Sequence, residues 1–169
     1  MNLPFESAVA RHGPTVLRVC RAVLGPSADA DDAWSETFLA ALKAWPDLDE
    51  STNIEAWLVR VAHRKAIDIT RQHARRARIL SPTSPEELQE FENGVEGTST
   101  SNCSTTSSRG ELWELVASLP NRQRQAIGYH YFGGLSHQET AELIGSNADA
   151  VRRAAADGMK KLRRLYRYE

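Results

Sequence analysis

SHQETAELIGSNADAVRR, residues 136–153, decides how this chain folds. Ser136 followed three residues later by Glu139 is a capping box, in which two residues satisfy each other's free backbone amides and close the first turn of a helix. Ala141, Gly145 and Val151 then sit where a helix-turn-helix needs them: a small residue where two helices touch, a glycine for the turn, and an apolar residue anchoring the second helix. That second helix is expected to start near Asn147 and to carry Asp149, Arg152 and Arg153 in its first turns, where side chains reach base edges. Later basic residues such as Lys160 are placed to meet phosphates. An ordinary helical hairpin with a solvated charged face has the same spacing. The basic run Lys160, Lys161, Arg163, Arg164 and Arg167 favours nucleic acid over that reading.

Outward from this stretch the chain reads as helix throughout, with no alternating run long enough for a strand. Leu112, Leu115, Val116 and Leu119 precede Pro120, and a new helix carries Ala126, Ile127, His130 and Tyr131 before Gly133-Gly134. In the N-terminal half, Val16, Leu17, Cys20, Val23 and Leu24 form a helical stripe that stops at Gly25-Pro26. Trp34, Thr37, Phe38, Ala41, Leu42 and Trp45 keep helical spacing for three turns until Pro46. Thr52 with Glu55 predicts a capping box for a third helix, whose apolar face runs through Ile54, Trp57, Leu58, Val61, Ala62, Ala66 and Ile69. The expected fold is therefore all-α.

Formal net charge is only -1, but it is a sum of segregated blocks. Arg60, Arg64, Lys65, Arg71, Arg75, Arg76 and Arg78 crowd one stretch, and the C-terminal helix holds the other. Between them Glu86, Glu87, Glu90, Glu92 and Glu96 lie in a span from Ser81 to Ser108 without Lys or Arg. Its end, TSTSNCSTTSS, has nothing apolar to offset the entropy of ordering. The division expected is a helical domain over 1–80, an acidic Ser/Thr-rich linker over 81–108 with a short helical turn about Leu88 and Phe91, and a helix-turn-helix domain over 109–169.

Cys20 and Cys103 are too few and too far apart for a disulfide framework or a Cys-x-x-Cys metal site, which fits a reducing compartment. No apolar run approaches the roughly 18 residues of a membrane span and no signal pattern opens the chain, so a soluble, cytoplasmic protein is expected. No nucleophile with a base, metal cluster or phosphate loop is recognisable, and neither catalysis nor a cofactor is expected. His63 and His73 read as additions to a basic face, and Trp57 as core.

LPNRQRQAIGYHYFGGLSHQETAELIGSNADAVRRAAADGMKKLRRL resembles region 4 of the extracytoplasmic function (ECF) sigma factors, which binds the minus-thirty-five promoter element. DADDAWSETFLAALKAW is similar to the region 2 helix that docks on the polymerase clamp, and AWLVRVAHRKAIDITRQHARR to the segment that melts and reads the minus-ten element. The resemblance implies that Asp32, Glu36 and Phe38 bind polymerase and that Arg60, His63, Arg64, Lys65 and Arg71 meet minus-ten DNA. It assigns Ser136, Asn147, Asp149, Arg152, Arg153 and Lys160 to the minus-thirty-five element. The implied partners are core RNA polymerase, through the clamp of its largest subunit and the flap of the second largest, promoter DNA, and an anti-sigma factor, with no membrane insertion. Asp32 and Glu36, four apart and off the apolar stripe, present two carboxylates to a basic partner.

Two departures stand out: Arg64 replaces the asparagine many members carry after the RIAxN motif, and Ala154 to Gly158 is less basic than usual. The rival function is a stand-alone helix-turn-helix regulator. It would bind duplex DNA tightly by itself, whereas a sigma factor usually needs polymerase, and it has no use for a second basic helix.

Overall fold

The computed structural model describes residues 3–80 and 108–166, all helices and turns within those limits. In chain order these are α1 (Phe5–Leu24), α2 (Ala28–Ala44), a 3-10 turn (Trp45–Asp47), α3 (Ile54–Leu80), α4 (Ser108–Ala117), α5 (Asn121–Ile127), a wide π turn (Gly128–Phe132), α6 (His137–Ile144) and α7 (Ala148–Tyr166). The acidic stretch and the helical turn expected about Leu88 and Phe91 lie outside the described residues.

Helices α1 to α3 close around Val16, Cys20, Ala30, Ala33, Phe38, Ala41, Leu58 and Ala62. Alanines at the crossings let the backbones approach, and aromatics fill the margins: Phe5 meets Trp45 edge-on with ring centres 5.3 Å apart, and Trp34 leans on Phe38 at 4.8 Å. The Trp34 indole donates to the Gly13 carbonyl at 3.0 Å, tying α2 to α1. Helix α1 begins well before the stripe read from Val16, running through Pro14, whose missing amide would ordinarily stop a helix.

Three further sequence expectations are corrected. Leu42 is not core: it is half exposed, as is Leu39. The cap of α3 is Asn53 and not Thr52, because the Asn53 side-chain oxygen accepts from the Ala56 amide at 3.1 Å. Glu55 turns instead to His12 at 3.4 Å. Tyr131 is exposed while Tyr129 is fully buried, the reverse of the regular-helix expectation. The cause is the π turn, where the Gly133 amide bonds back to the Gly128 carbonyl at 2.9 Å and one extra residue rotates the phase of everything beyond it.

In the C-terminal half, Ala126, Ala141, Val151 and Ala155 form the core of the helix-turn-helix. Helix α7 also packs on α5 at Gly158, where an added Cβ would meet Ile127 Cδ1 at 2.7 Å. The halves are not separate bodies. Val19, Val23, Val59 and Ala66 share a cluster with Tyr129 and Leu135, and Ala22 is buried among Val116, Leu119, Ile127 and Leu162.

Candidate nucleic-acid interface

Ser136 and Glu139 build the entry of the helix-turn-helix as the sequence predicts. The Ser136 hydroxyl accepts from the Glu139 amide at 3.1 Å, and Glu139 accepts from the Ser136 amide at 2.9 Å. These bonds hold the Glu139 carboxyl below its ordinary value, with nearby Arg60 adding to the effect. Gly145 ends α6 at φ 68°, the left-handed cap that glycine adopts without strain. Asn147 then starts α7, its side-chain oxygen accepting from the Ala150 amide at 2.8 Å. Ser136→Ala is expected to cost about 1 kcal/mol of stability. Urea denaturation followed by circular dichroism measures it, and an unchanged midpoint would show the cap to be idle.

Val151, Ala155, Gly158 and Leu162 face inward on α7, which leaves Arg152, Arg153, Lys160, Arg163 and Arg164 outward. Arg152 donates to Asp149 at 2.8 Å and Arg153 reaches the Asp149 carbonyl at 3.4 Å, so both guanidinium groups are held near the first turn. A planar fork held there is suited to a base edge or a phosphate. His137 stacks on His130 with ring centres 3.9 Å apart. Partial desolvation, then His130 and Arg152, push its pKa below the ordinary histidine value.

The other basic surface is α3. Arg64 and Arg71 are exposed, while Arg60 lies 3.7 Å from Glu139 of α6 and Lys65 lies 3.7 Å from Glu36. His63 is half-buried and Nδ1 is 2.5 Å from the Tyr129 hydroxyl. Burial, with Arg64 adding its charge, pushes the His63 pKa down, and burial pushes the Tyr129 phenol up. Both groups are thereby held neutral, and the hydroxyl can donate to unprotonated Nδ1. Alongside runs a cleft of about 400 Å³ lined by His63, Arg64, Ile67, Asp68, Arg71, Glu142 and Leu143.

On α2, Asp32 and Glu36 are exposed, and Leu39 and Leu42 continue that face with half their surface open. Phe38 does not join them. It is 7% exposed and packs against Phe5 and Trp34, so its side chain serves the core. Sequence reading missed Leu39, and the only signal for it was its i, i+3 relation to Glu36. Among the described residues no group of three or more His, Cys, Asp or Glu could hold a metal ion, and no helix is long and apolar enough to cross a membrane.

Residues 8–76 match the model of Sigma-70 region 2, and residues 109–162 that of Sigma-70, region 4. The ECF RNA polymerase sigma factor SigD of Mycobacterium tuberculosis is 32% identical over 155 residues, covering 89% of this chain and 71% of the relative. RNA polymerase sigma factor NccH of Alcaligenes xylosoxydans xylosoxydans is 29% identical over 161 residues, 95% of this chain and 86% of the relative. Two solved structures share the fold. The sigma factor RpoE in complex with the anti-sigma factor NepR from Bartonella quintana aligns with TM-score 0.68 at 16% identity, over 96% of both chains. CnrH in complex with the cytosolic domain of CnrY aligns with TM-score 0.59 at 24% identity, over 98% of this chain and 88% of the other.

Proposed function

Because this chain belongs to the ECF sigma factors of the sigma-70 family, we propose that it recruits core RNA polymerase to promoters and divides that work among three surfaces. The observation that carries the reading is that each matched region holds one exposed basic helix, α3 in region 2 and α7 in region 4. Helix α2 docks on the polymerase clamp through Asp32 and Glu36, with Leu39 and Leu42 adding apolar area beside the carboxylates. Arg60, His63, Arg64, Lys65 and Arg71 of α3 follow the minus-ten strand, where cations neutralise phosphates. Arg152 and Arg153 read the minus-thirty-five element, with Asn147 and Asp149 positioning them and Ser136 and Lys160 on the backbone.

The division at residues 80 and 109 places the α2 and α3 surfaces in one domain and the α7 surface in the other, joined by a linker. Bond formation is left to polymerase, and the chain works in the cytoplasm, where polymerase is. The flap of the second largest subunit takes region 4. An anti-sigma factor is a further partner, supported by the two similar structures, whose sigma factors are bound to such proteins or to a cytosolic domain.

Run-off transcription with purified core enzyme on a genomic library tests the reading: discrete initiation sites dependent on this chain are expected, and their absence overturns it. Tight binding of duplex DNA by the chain alone would instead favour a stand-alone regulator. The paired reversal Asp32→Lys with Glu36→Lys should weaken capture of core enzyme about tenfold while leaving the circular dichroism spectrum unchanged. Undiminished capture in a pull-down would remove these carboxylates from the docking face.

A further inference from the structure

His130 and His137 meet at the entry of the helix-turn-helix, their rings stacked with centres 3.9 Å apart and planes tilted by 25°. The π turn delivers His130, and His137 is the first residue of α6. His130 is fixed in one tautomer. Its Nδ1 lies 2.6 Å from the Leu135 carbonyl, which can only accept, so Nδ1 carries hydrogen and Nε2 is left to take up a proton. Tyr131 meets the same ring edge-on, with centres 4.9 Å apart. His137 is partly exposed, and among the described residues neither of its ring nitrogens has a hydrogen-bond partner.

A proton on this pair has no counter-ion at hand. From α7, Arg152 acts on the His137 ring, and Asp149 is already bonded to Arg152 at 2.8 Å. Within α6, Glu139 is held by the Ser136 amide at 2.9 Å and by Arg60 of α3 at 3.7 Å. Glu55 of α3, which lies against Gly134, pairs with His12 at 3.4 Å. Two imidazoles and a guanidinium thus converge while each of these carboxylates is committed elsewhere. Such a cluster takes on further charge only together with an anion from outside.

We propose that His137, backed by His130 and beside Arg152, is a phosphate-binding residue that takes up a proton as the DNA backbone docks, so that promoter affinity rises as pH falls. The inference rests on the sigma-factor reading above, which turns α7 toward DNA. In a helix-turn-helix the second helix enters the major groove while the first crosses the backbone. His137 opens that first helix and faces Arg152 near the start of the second, which sets its ring over a phosphate and not a base edge. An imidazolium donates from both nitrogens, and a phosphodiester oxygen is a charged acceptor. The sign follows from the two states. In the free chain burial, then His130 and Arg152, hold His137 neutral at neutral pH. Against a phosphate the charged form is favoured, so docking binds a proton. Affinity therefore increases as pH falls through the range around and below the ordinary histidine value of about 6.5.

NMR titration of the imidazoles in the full chain, alone and with excess short duplex DNA of random sequence at low salt, reads this uptake directly. Duplex is expected to raise the His137 midpoint by about one pH unit, equivalent to about tenfold tighter binding by the charged ring. Holoenzyme assembled on core polymerase should hold promoter DNA about three- to tenfold tighter at about pH 6.0 than at about pH 7.5, beyond any change shown by His137→Gln. Its salt slope should be steeper by about one at the lower pH. His137→Lys is charged at both pH values. It should bind tightly at each and lose the pH step, a rescue that a ring needed only for stacking would not give. An unmoved His137 midpoint, equal pH profiles for parent and His137→Gln, or a salt slope indifferent to pH would each overturn the proposal. Failure of the sigma-factor reading looks different: run-off initiation would be absent with parent, His137→Gln and His137→Lys alike, whereas failure of this proposal leaves initiation intact.

Discussion

Alanine at Arg152 is expected to relax the choice of upstream promoter sequence, at a cost of about 1–3 kcal/mol in discrimination at the base it contacts. The side chain stands at the start of α7, held by Asp149 at 2.8 Å, and is largely exposed. Lys160 lies two turns further along the same exposed face. Its removal should weaken every sequence alike and lower the salt slope of binding by about one. Competition binding of holoenzyme to promoters substituted one position at a time separates the two, read at two or more salt concentrations. Loss of affinity without loss of preference at both positions would mean that Arg152 also meets only phosphate.

Leu58→Ala is expected to cost about 2–5 kcal/mol of folding free energy. The side chain is fully enclosed on α3 by a cluster that includes Val16, Phe38 and Ala41, and three helices meeting at fixed crossings cannot collapse onto the space it would leave. Against a typical total of about 5–15 kcal/mol, the variant would be partly unfolded at moderate denaturant. Leu42→Ala is the contrast. The parent side chain is half exposed, so stability should change by no more than about 0.5 kcal/mol while capture of core enzyme falls. Equal denaturation midpoints for the two variants would contradict this assignment of core and surface.

Local signals in the sequence were readable and distant ones were not. Ser136, Glu139, Gly145 and Asn147 act through bonds within a few residues, and each appears in the structure in the part its residue type suggests. The helical character of both halves followed from apolar periodicity for the same reason. Phe38 and Leu42 were harder, because α2 carries large apolar side chains on more than one face and only packing decides which turn inward. Tyr129 was hidden by the π turn, which no residue in GYHYF announces. The docking of the halves left no periodic trace, since Ala22, Gly128 and Gly133 contribute by being small. Of the candidate DNA-binding residues, sequence marked the basic ones by charge. It gave no sign that Arg60 and His63 would find partners across the chain.

The close approach of Ala22 and Gly128 bears on recombination between relatives. A chimera that keeps this N-terminal half and takes its C-terminal half from a chain with a side chain at the Gly128 position would begin with two Cβ atoms 2.8 Å apart. The seam would have to shift, and the Arg60–Glu139 and His63–Tyr129 pairs with it. Such hybrids are expected to fold half by half yet lose the fit between halves, whereas exchanges that carry both small residues together should keep it. Interchangeability of the modules is thus limited by a contact that involves neither polymerase nor DNA.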